Sequence, residues 1–225
     1  MIATFALAAA LTLAVACAGP PAQGATRRSD DPGLFLLGGS ILARLSSNND
    51  VDAEFDMLGW STSHDAVGGR TIRGGLNMVR TTREADVAEA QAMVIVLGIN
   101  DRRKTPSEFV AKVDELNRQI RSLNPDIGLY WVNMVAFRKT CTTQEAVRKV
   151  RILNSRLEHY AAANRIRIID WRRIADGATD YNQTDGYHPD RSGQLKLLRL
   201  MKRSIGAAPA NQARIAAPPD PRPTL

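Results

Sequence analysis

Residues 34–45 of the chain read LFLLGGSILARL and contain a change of secondary structure. The first part, residues 34–37, is a short apolar run that is typical of a buried strand. Two glycines follow and permit a sharp turn of the backbone. Residues 41–45 then begin a helix, so the stretch predicts a strand, a glycine turn and a helix with Ser40 at its N-terminus. Taken alone, a serine in this position is also an ordinary helix cap.

The same change of pattern repeats along the chain. Short apolar runs alternate with segments in which apolar residues recur at helical spacing. This alternation predicts an α/β fold, a single-domain three-layer sandwich whose central, mostly parallel, five-stranded sheet is flanked by helices. Ligands of such sheets bind at the carboxyl ends of the strands, so residues that follow a strand are candidates for function. The further strand candidates are 93–97, 127–132 and 166–169, with a more polar one at 60–67.

Three helices can be placed from their end signals. Residues 105–108 (TPSE) combine a capping box with a proline at the first helical position, and apolar residues follow at spacings of three and four. Thr142 and Glu145 predict the start of the next helix in the same way. The last helix is predicted over residues 192–205.

The two ends of the chain differ from the middle in composition. Residues 1–24 contain no Asp, Glu, Lys or Arg and are rich in Ala, which predicts an export signal. Cleavage after Gly24 fits this segment, and so does a lipoprotein signal that ends before Cys17, whose lipid would anchor the protein to a membrane. We expect the protein to be secreted or held at the outer face of the cell envelope. The predicted divisions are a signal at 1–24, a linker at 25–31, the folded domain at 32–206 and a disordered Ala/Pro-rich tail at 207–225.

The composition excludes several classes of protein. Hydrophobic residues make up 44% and charged residues 24% of the chain, which is typical of a globular protein and not of a disordered or multi-span membrane protein. The net charge is +7, yet Lys and Arg form no long run and aromatic residues are only 5%. We therefore expect no nucleic-acid partner, and an anionic cell envelope explains the positive charge better.

Polar residues that suit catalysis follow the carboxyl ends of two predicted strands. Ser40 follows the first strand, and Asn100 follows the third. A side-chain amide at the second position can donate a hydrogen bond to a developing oxyanion. An Asn-Asp pair after a strand is also ordinary turn chemistry, so this signal is ambiguous on its own.

A serine nucleophile needs a base, and that base needs a third group to hold the correct tautomer. Asp185 and His188 are three residues apart around a glycine, so a tight loop can place both on one side of a cleft. His159 lies beside the apolar stripe of a helix, and His64 lies in the more polar strand. His188 is therefore the best candidate for the base.

The segments that carry these residues resemble the four sequence blocks of the SGNH (GDSL-type) hydrolases, in the same order. The resemblance spans residues 34–205 and implies the flavodoxin-like fold of that family, serine esterase chemistry, and neither a metal nor an organic cofactor. The four blocks are Gly38-Gly39-Ser40, Gly68-Gly69-Arg70-Thr71, Gly98-Ile99-Asn100-Asp101 and Asp185-Gly186-Tyr187-His188-Pro189.

The resemblance also implies a role for individual residues. Ser40 matches the nucleophile, His188 the general base, and Asp185 the group that orients the imidazole. The oxyanion hole would consist of the main-chain N–H groups of Ser40 and Gly69 and the side-chain amide of Asn100.

One position departs from the family pattern, because Gly39 stands where the family usually has Asp. A catalytically impaired module that binds the cell envelope is therefore one alternative. The leading prediction is an exported, monomeric esterase that hydrolyses small acyl esters such as O-acetyl groups on carbohydrate. A carbohydrate O-acyltransferase would use the same residues and is the second alternative. Arg70 and Arg102 follow the oxyanion segments and are predicted to bind substrate.

Overall fold

A computed structural model describes residues 31–209 of the chain, and its centre is one five-stranded sheet. The strands are β1 (Gly33–Gly38), β2 (Ser61–Ala66), β3 (Ala90–Val96), β4 (Gly128–Val132) and β5 (Ile166–Ile169). They lie in the order β2-β1-β3-β4-β5, and every neighbouring pair is parallel. The predicted α/β fold class is confirmed, with a sheet that is parallel throughout.

Helices cover both faces of this sheet and complete the three layers. They are α1 (Ser40–Asn48), α2 (Val51–Asp56), α3 (Ile72–Thr81), α4 (Glu84–Glu89), α5 (Pro106–Leu123), α6 (Gln144–Ala163), α7 (Trp171–Ile174) and α8 (Arg191–Ile205). Two 3-10 helices lie at Ile99–Asp101 and Gly177–Asp180. Helices α1, α2, α7 and α8 pack together on one face, and α3 to α6 pack on the other.

The position of each strand in the sheet explains the strength of its sequence signal. All residues of β1 are buried, because this strand lies inside the sheet and is covered on both faces. Its neighbour β3 is buried except at Gln91. In contrast, β2 is an edge strand with the sequence STSHDA, and most of its residues are only partly buried. Buried parallel strands have continuous apolar sequences, and a half-covered edge strand does not need one.

The three predicted helices are all present, but their starts have different outcomes. The last one, predicted over residues 192–205, is α8 and begins one residue earlier, at Arg191. The capping box of α5 is confirmed, because the Thr105 hydroxyl accepts the Glu108 N–H at 3.2 Å and the Glu108 carboxylate accepts the Thr105 N–H at 2.8 Å. The start predicted at Thr142 is wrong by one residue, since Thr143 caps α6 through the N–H of Ala146. Thr142 instead donates its hydroxyl hydrogen bond to the Asp185 main-chain carbonyl, a contact between distant parts of the chain.

The predicted divisions at the two ends fall largely outside the described residues. The signal at 1–24 with Cys17, most of the linker and the tail from residue 210 onward lie there. At the other boundary, the packed domain continues past residue 206, because Ala208 is buried and donates its N–H to the Leu58 carbonyl at 2.8 Å. None of the helices formed by residues 31–209 has the length and apolar composition needed to cross a membrane.

The segment that follows β4 is held in place by a buried amide. Asn154 lies in α6 and is fully buried. Its Oδ1 accepts the Met134 N–H at 2.9 Å, and its Nδ2 donates to the Met134 carbonyl at 2.6 Å. One side chain therefore satisfies both main-chain groups of a residue that lies between a strand and the functional edge of the sheet.

Replacement of Asn154 by Ala is expected to lower the free energy of unfolding by about 2–4 kcal/mol, because both Met134 main-chain groups lose their partner away from water. Urea denaturation followed by circular dichroism measures this loss. Ser155→Ala is the matched control on the exposed side of the same helix, and it should stay within about 0.5 kcal/mol of the wild type. Equal losses in the two variants would contradict the role given to Asn154.

Candidate active site

Ser40 lies at the functional edge of the sheet, where β1 turns into α1. The turn residue Gly39 has an extended backbone, and its N–H donates to the Val96 carbonyl at the end of β3 at 3.2 Å. Ser40 is the first residue of the helix and is partly exposed. Its main-chain N–H has no acceptor among residues 31–209, as is usual at a helix N-terminus, and remains available to a ligand.

The structure brings Ser40, His188 and Asp185 into one chain of hydrogen bonds. His188 Nε2 lies 2.8 Å from Ser40 Oγ, and His188 Nδ1 lies 2.7 Å from Asp185 Oδ2. The side chains of His188 and Asp185 are 20% and 27% exposed, so the imidazole is accessible from solvent. This arrangement can move a proton from the serine hydroxyl to the imidazole while the carboxylate holds the Nδ1–H tautomer.

The hydrogen bonds that Asp185 accepts keep its carboxylate ionised. Burial raises its pKa, but hydrogen bonds from the His188 ring and from the main-chain N–H groups of Tyr187 and His188 lower it, and the lowering is larger. The two main-chain groups donate to Oδ1 at 2.9 and 3.1 Å, which leaves Oδ2 to the imidazole. An ionised carboxylate in this position stabilises the imidazolium that forms when His188 takes a proton.

The loop that carries His188 is fixed by contacts to the segment after β4. Gly186 has a φ of +66°, and its carbonyl accepts the Phe137 N–H at 3.0 Å. A side chain at residue 186 would collide with the Phe137 carbonyl. The Thr142 hydroxyl holds the carbonyl of Asp185 from the same side. The sequence indicates a loop here but not which segment holds it.

Three hydrogen-bond donors lie around the serine turn. One N–H of the Asn100 amide donates to the Arg70 carbonyl at 3.0 Å, which orients the amide and leaves its second N–H free. Gly69 has a φ of +76°, and its N–H has no acceptor among the described residues. With the Ser40 N–H, these are the three donors that the sequence predicted for an oxyanion hole.

Asp101 is a site residue whose role the sequence did not reveal. Its side chain is buried, and Oδ2 accepts the Ile72 N–H at the start of α3 at 2.8 Å. Burial raises the pKa of Asp101, and the hydrogen bond from Ile72 lowers it only in part. The contact ties the turn of Asn100 to the segment that contains Gly69. An Asp in this turn looks like any other turn residue until its burial is known.

The two arginines that were predicted to bind substrate have different surroundings. Arg70 is buried with 7% of its side chain exposed, and its guanidinium is bound to Asp65, so the prediction that it contacts substrate does not fit the structure. Arg102 lies at the site, with its guanidinium 4.6 Å from the centre of the Tyr187 ring. It therefore joins the turn of Asn100 to the loop of His188 and stays a candidate for substrate binding.

The other two histidines lie outside the candidate site. His64 Nδ1 lies 3.1 Å from Asp52 Oδ1, and the hydrogen bond that His64 donates to the Asp52 carboxylate raises the pKa of His64. His159 is exposed on α6. Within residues 31–209 there is no group of three or more His, Cys, Asp or Glu side chains that could hold a metal ion.

A small apolar pocket adjoins the candidate site. Its cavity volume of about 10 Å³ is close to the space that one water molecule needs. A wider cavity of about 540 Å³ lies between α6 and the segment after β5, and Met134 lines both cavities. The small pocket is lined by Ile41, Val96, Leu97, Ile99, Val132, Asn133, Met134 and Trp171, of which two are the chain neighbours of Ser40 and Asn100.

Comparison with known proteins identifies the family and the fold. The model of the GDSL-like lipase/acylhydrolase family matches residues 36–196. A crystal structure of a GDSL-like lipase from Bacteroides thetaiotaomicron is 18% identical over 77% of this chain and 87% of that chain, with a TM-score of 0.64. A lipase/acylhydrolase from Enterococcus faecalis is also 18% identical, over 77% and 95%, with a TM-score of 0.62. At this identity the two structures show the shared fold alone. No curated protein matches the sequence.

Gly39→Ala is expected to slow the labelling of Ser40 by a fluorophosphonate probe by about tenfold or more. A Cβ at residue 39 would lie 3.3 Å from the Arg70 carbonyl oxygen, so this oxygen has to shift by a few tenths of an ångström. The same oxygen accepts the hydrogen bond that orients the Asn100 amide. Complete loss of one oxyanion donor typically lowers kcat by about 10²- to 10³-fold, and this range is the upper limit for the expected loss of labelling rate. Labelling rates are read by mass spectrometry of the intact protein.

Gly68→Ala is the matched control for this measurement. A Cβ at residue 68 would meet no atom within 4 Å, so the labelling rate should stay close to that of the wild type. A Gly39→Ala protein that is labelled as fast as the wild type would contradict the placement of Asn100 beside the serine turn.

Proposed function

The chain belongs to the GDSL-like lipase/acylhydrolase family and is an ester hydrolase of the SGNH type, and we propose that Ser40, His188 and Asp185 carry its chemistry. The observation that supports this assignment is the continuous hydrogen-bonded chain from Ser40 Oγ through the imidazole to the Asp185 carboxylate. Such a chain also favours an active enzyme over a binding module that has lost catalysis. The glycine at position 39, where the family usually has Asp, does not prevent the hydrogen bond between Ser40 and His188.

The first half of the reaction forms an acyl-enzyme. Ser40 Oγ attacks the ester carbonyl carbon, and its proton passes to His188 Nε2. The carbonyl oxygen becomes an oxyanion and accepts hydrogen bonds from the N–H groups of Ser40 and Gly69 and from the Asn100 amide. The carbon–oxygen bond to the alcohol then breaks, and the alcohol leaves with the proton from His188. Asp185 balances the positive charge of the imidazolium throughout.

The second half returns the enzyme to its starting state. A water molecule gives a proton to His188 Nε2 and attacks the acyl carbon of the acyl-Ser40 ester. The same three donors stabilise the second oxyanion. The bond to Ser40 Oγ breaks, Oγ takes back the proton from His188, and the carboxylic acid is released.

We propose short acyl esters as substrates, with O-acetyl groups on carbohydrate as the preferred class. The apolar pocket beside Ser40 supports the short acyl group, because its volume of about 10 Å³ leaves no space for a long chain. Arg102 and Tyr187 support a polar leaving group, since they present a cation and an aromatic ring between the Asn100 turn and the His188 loop. The hydroxyl groups of a sugar can accept hydrogen bonds from Arg102, and the apolar face of the sugar ring can pack against Tyr187.

Export of the enzyme is a further part of this proposal and depends on the sequence alone. The charge-free segment 1–24 supports a signal, and the net charge of +7 supports contact with an anionic envelope. Lipidation at Cys17 would keep the enzyme at that surface, and cleavage after residue 24 would release it.

Ser40→Ala and His188→Ala are each expected to reduce kcat for an acetyl ester by about 10³-fold or more, because each removes one member of a group that acts together. His159→Ala is the matched control, since His159 is exposed on α6, and its kcat should equal that of the wild type. Steady-state hydrolysis of p-nitrophenyl acetate measures all three. Retention of full hydrolysis by Ser40→Ala would overturn the proposed mechanism.

The wild type is expected to prefer acetyl over octanoyl p-nitrophenyl esters by roughly 10- to 200-fold in kcat/KM, the range that a poorly fitting pocket provides. Met134→Ala should reduce this preference, because Met134 lines both the small pocket and the cavity of about 540 Å³, and a shorter side chain there enlarges the small pocket. Val135→Ala is the control, since Val135 lines the wider cavity and not the small pocket. A wild type that prefers octanoyl esters would contradict the assignment of the acyl group to the small pocket.

A further inference from the structure

The turn that carries Ser40 makes no stabilising side-chain hydrogen bond of its own at the capping position of α1. Gly39 precedes the serine and has no side chain. The Gly39 carbonyl accepts the Ala43 N–H of α1 at 3.0 Å. Two further main-chain hydrogen bonds join the turn to other segments, from the Gly39 N–H to the Val96 carbonyl at 3.2 Å and from the Val67 N–H to the Gly38 carbonyl at 3.3 Å. A nucleophile has to be held within about half an ångström of its working position, so another group is needed.

Arg70 reaches this turn with its side chain. One guanidinium nitrogen, Nη1, donates to the Gly38 carbonyl at 3.3 Å and to the Asp65 main-chain carbonyl at 2.8 Å. The other, Nη2, lies 2.5 Å from the Asp65 carboxylate. The guanidinium therefore connects the last residue of β1, two positions before Ser40, to the edge strand β2.

The main chain of the same residue holds the oxyanion amide. The Arg70 carbonyl accepts a hydrogen bond from Asn100 Nδ2 at 3.0 Å, and Arg70 directly follows Gly69. One residue thus contacts the nucleophile turn through its side chain and orients an oxyanion donor through its backbone. A displacement of Arg70 would change the distance between Ser40 and both of the other donors.

The ion pair that fixes Arg70 is buried and well paired. Arg70 and Asp65 are only 7% and 9% exposed, and Asp65 Oδ2 also accepts a hydrogen bond from Arg83 Nε at 3.1 Å. Burial raises the pKa of Asp65, but hydrogen bonds from Arg70 and Arg83 lower it by more, so the carboxylate stays charged. A buried pair of this kind is costly to form and often adds little to stability, so a role in positioning explains it better.

We infer that Arg70 is a positioning residue for the reaction: clamped by Asp65, it holds the Ser40 turn and the Asn100 amide at the separation that the oxyanion requires. This inference rests on the proposed function of Ser40. Arg70 does not touch the substrate. Its loss should therefore lower kcat and leave KM nearly unchanged, because oxyanion stabilisation is lost only in the transition state.

Arg70→Lys is the main test of this inference. Lysine keeps the positive charge next to Asp65, but a single ammonium cannot reproduce the planar set of donors that serves Asp65 and the Gly38 carbonyl together. We expect kcat for p-nitrophenyl acetate to fall by about tenfold or more, within the roughly 10²- to 10³-fold cost of losing an oxyanion donor, and KM to change by less than about twofold. Arg70→Ala should lose more activity and regain part of it on addition of guanidinium at a concentration that does not denature the protein.

Arg83→Met is the matched control, because it removes the other cation from the same carboxylate without any contact to Gly38 or Asn100. Its melting temperature should fall, while its kcat should stay near that of the wild type. A folded Arg70→Lys protein with wild-type kcat would overturn the inference, and so would an equal loss of kcat in Arg83→Met. The comparison of wild type with Ser40→Ala is made first. Equal hydrolysis by these two proteins would overturn the proposed function itself and not the role of Arg70.

Discussion

The hydrogen bond of 2.8 Å between His188 and Ser40 joins positions that are 148 residues apart, and the site depends on holding these two side chains together. On one side the serine is fixed by the turn from β1 into α1. On the other side the histidine loop is fixed by Phe137 and Thr142, which belong to the segment between β4 and α6. The parallel sheet makes this possible, because it brings the carboxyl ends of all its strands to one edge.

Several of the buried polar side chains within residues 31–209 lie near that edge. Asp101 holds the start of α3, Asn154 holds the segment after β4, and Asp65 holds Arg70. Burial of each polar group is unfavourable unless well-directed hydrogen bonds offset its desolvation. Because these bonds require a particular geometry, each group fixes the local structure more firmly than apolar packing would. The apolar core supplies the stability of the sandwich, and these polar contacts determine where the donors and the nucleophile point.

Local signals predicted the fold and the catalytic candidates, because both depend on short stretches of sequence. Apolar runs identified the buried strands, the capping box located α5, and the glycine turns marked the exits that carry Ser40 and Asn100. The sequence failed where a residue takes its partner from far along the chain. Arg70 was predicted to bind substrate because it follows an oxyanion segment, and only the structure shows the buried carboxylate that binds its guanidinium. Thr142 was expected to cap a helix and instead holds the loop of Asp185.

In the proposed mechanism, Ser40, Gly69 and Asn100 converge on one oxygen atom of a substrate attached to the serine. A crystal structure of the enzyme after reaction with a methyl fluorophosphonate tests it most directly, since the bound phosphonyl group imitates the tetrahedral intermediate. We predict a phosphorus bonded to Ser40 Oγ and a phosphonyl oxygen within about 2.7–3.1 Å of the Ser40 and Gly69 nitrogens and of Asn100 Nδ2. A phosphonyl oxygen that points to solvent, or an adduct on any other residue, would contradict the account.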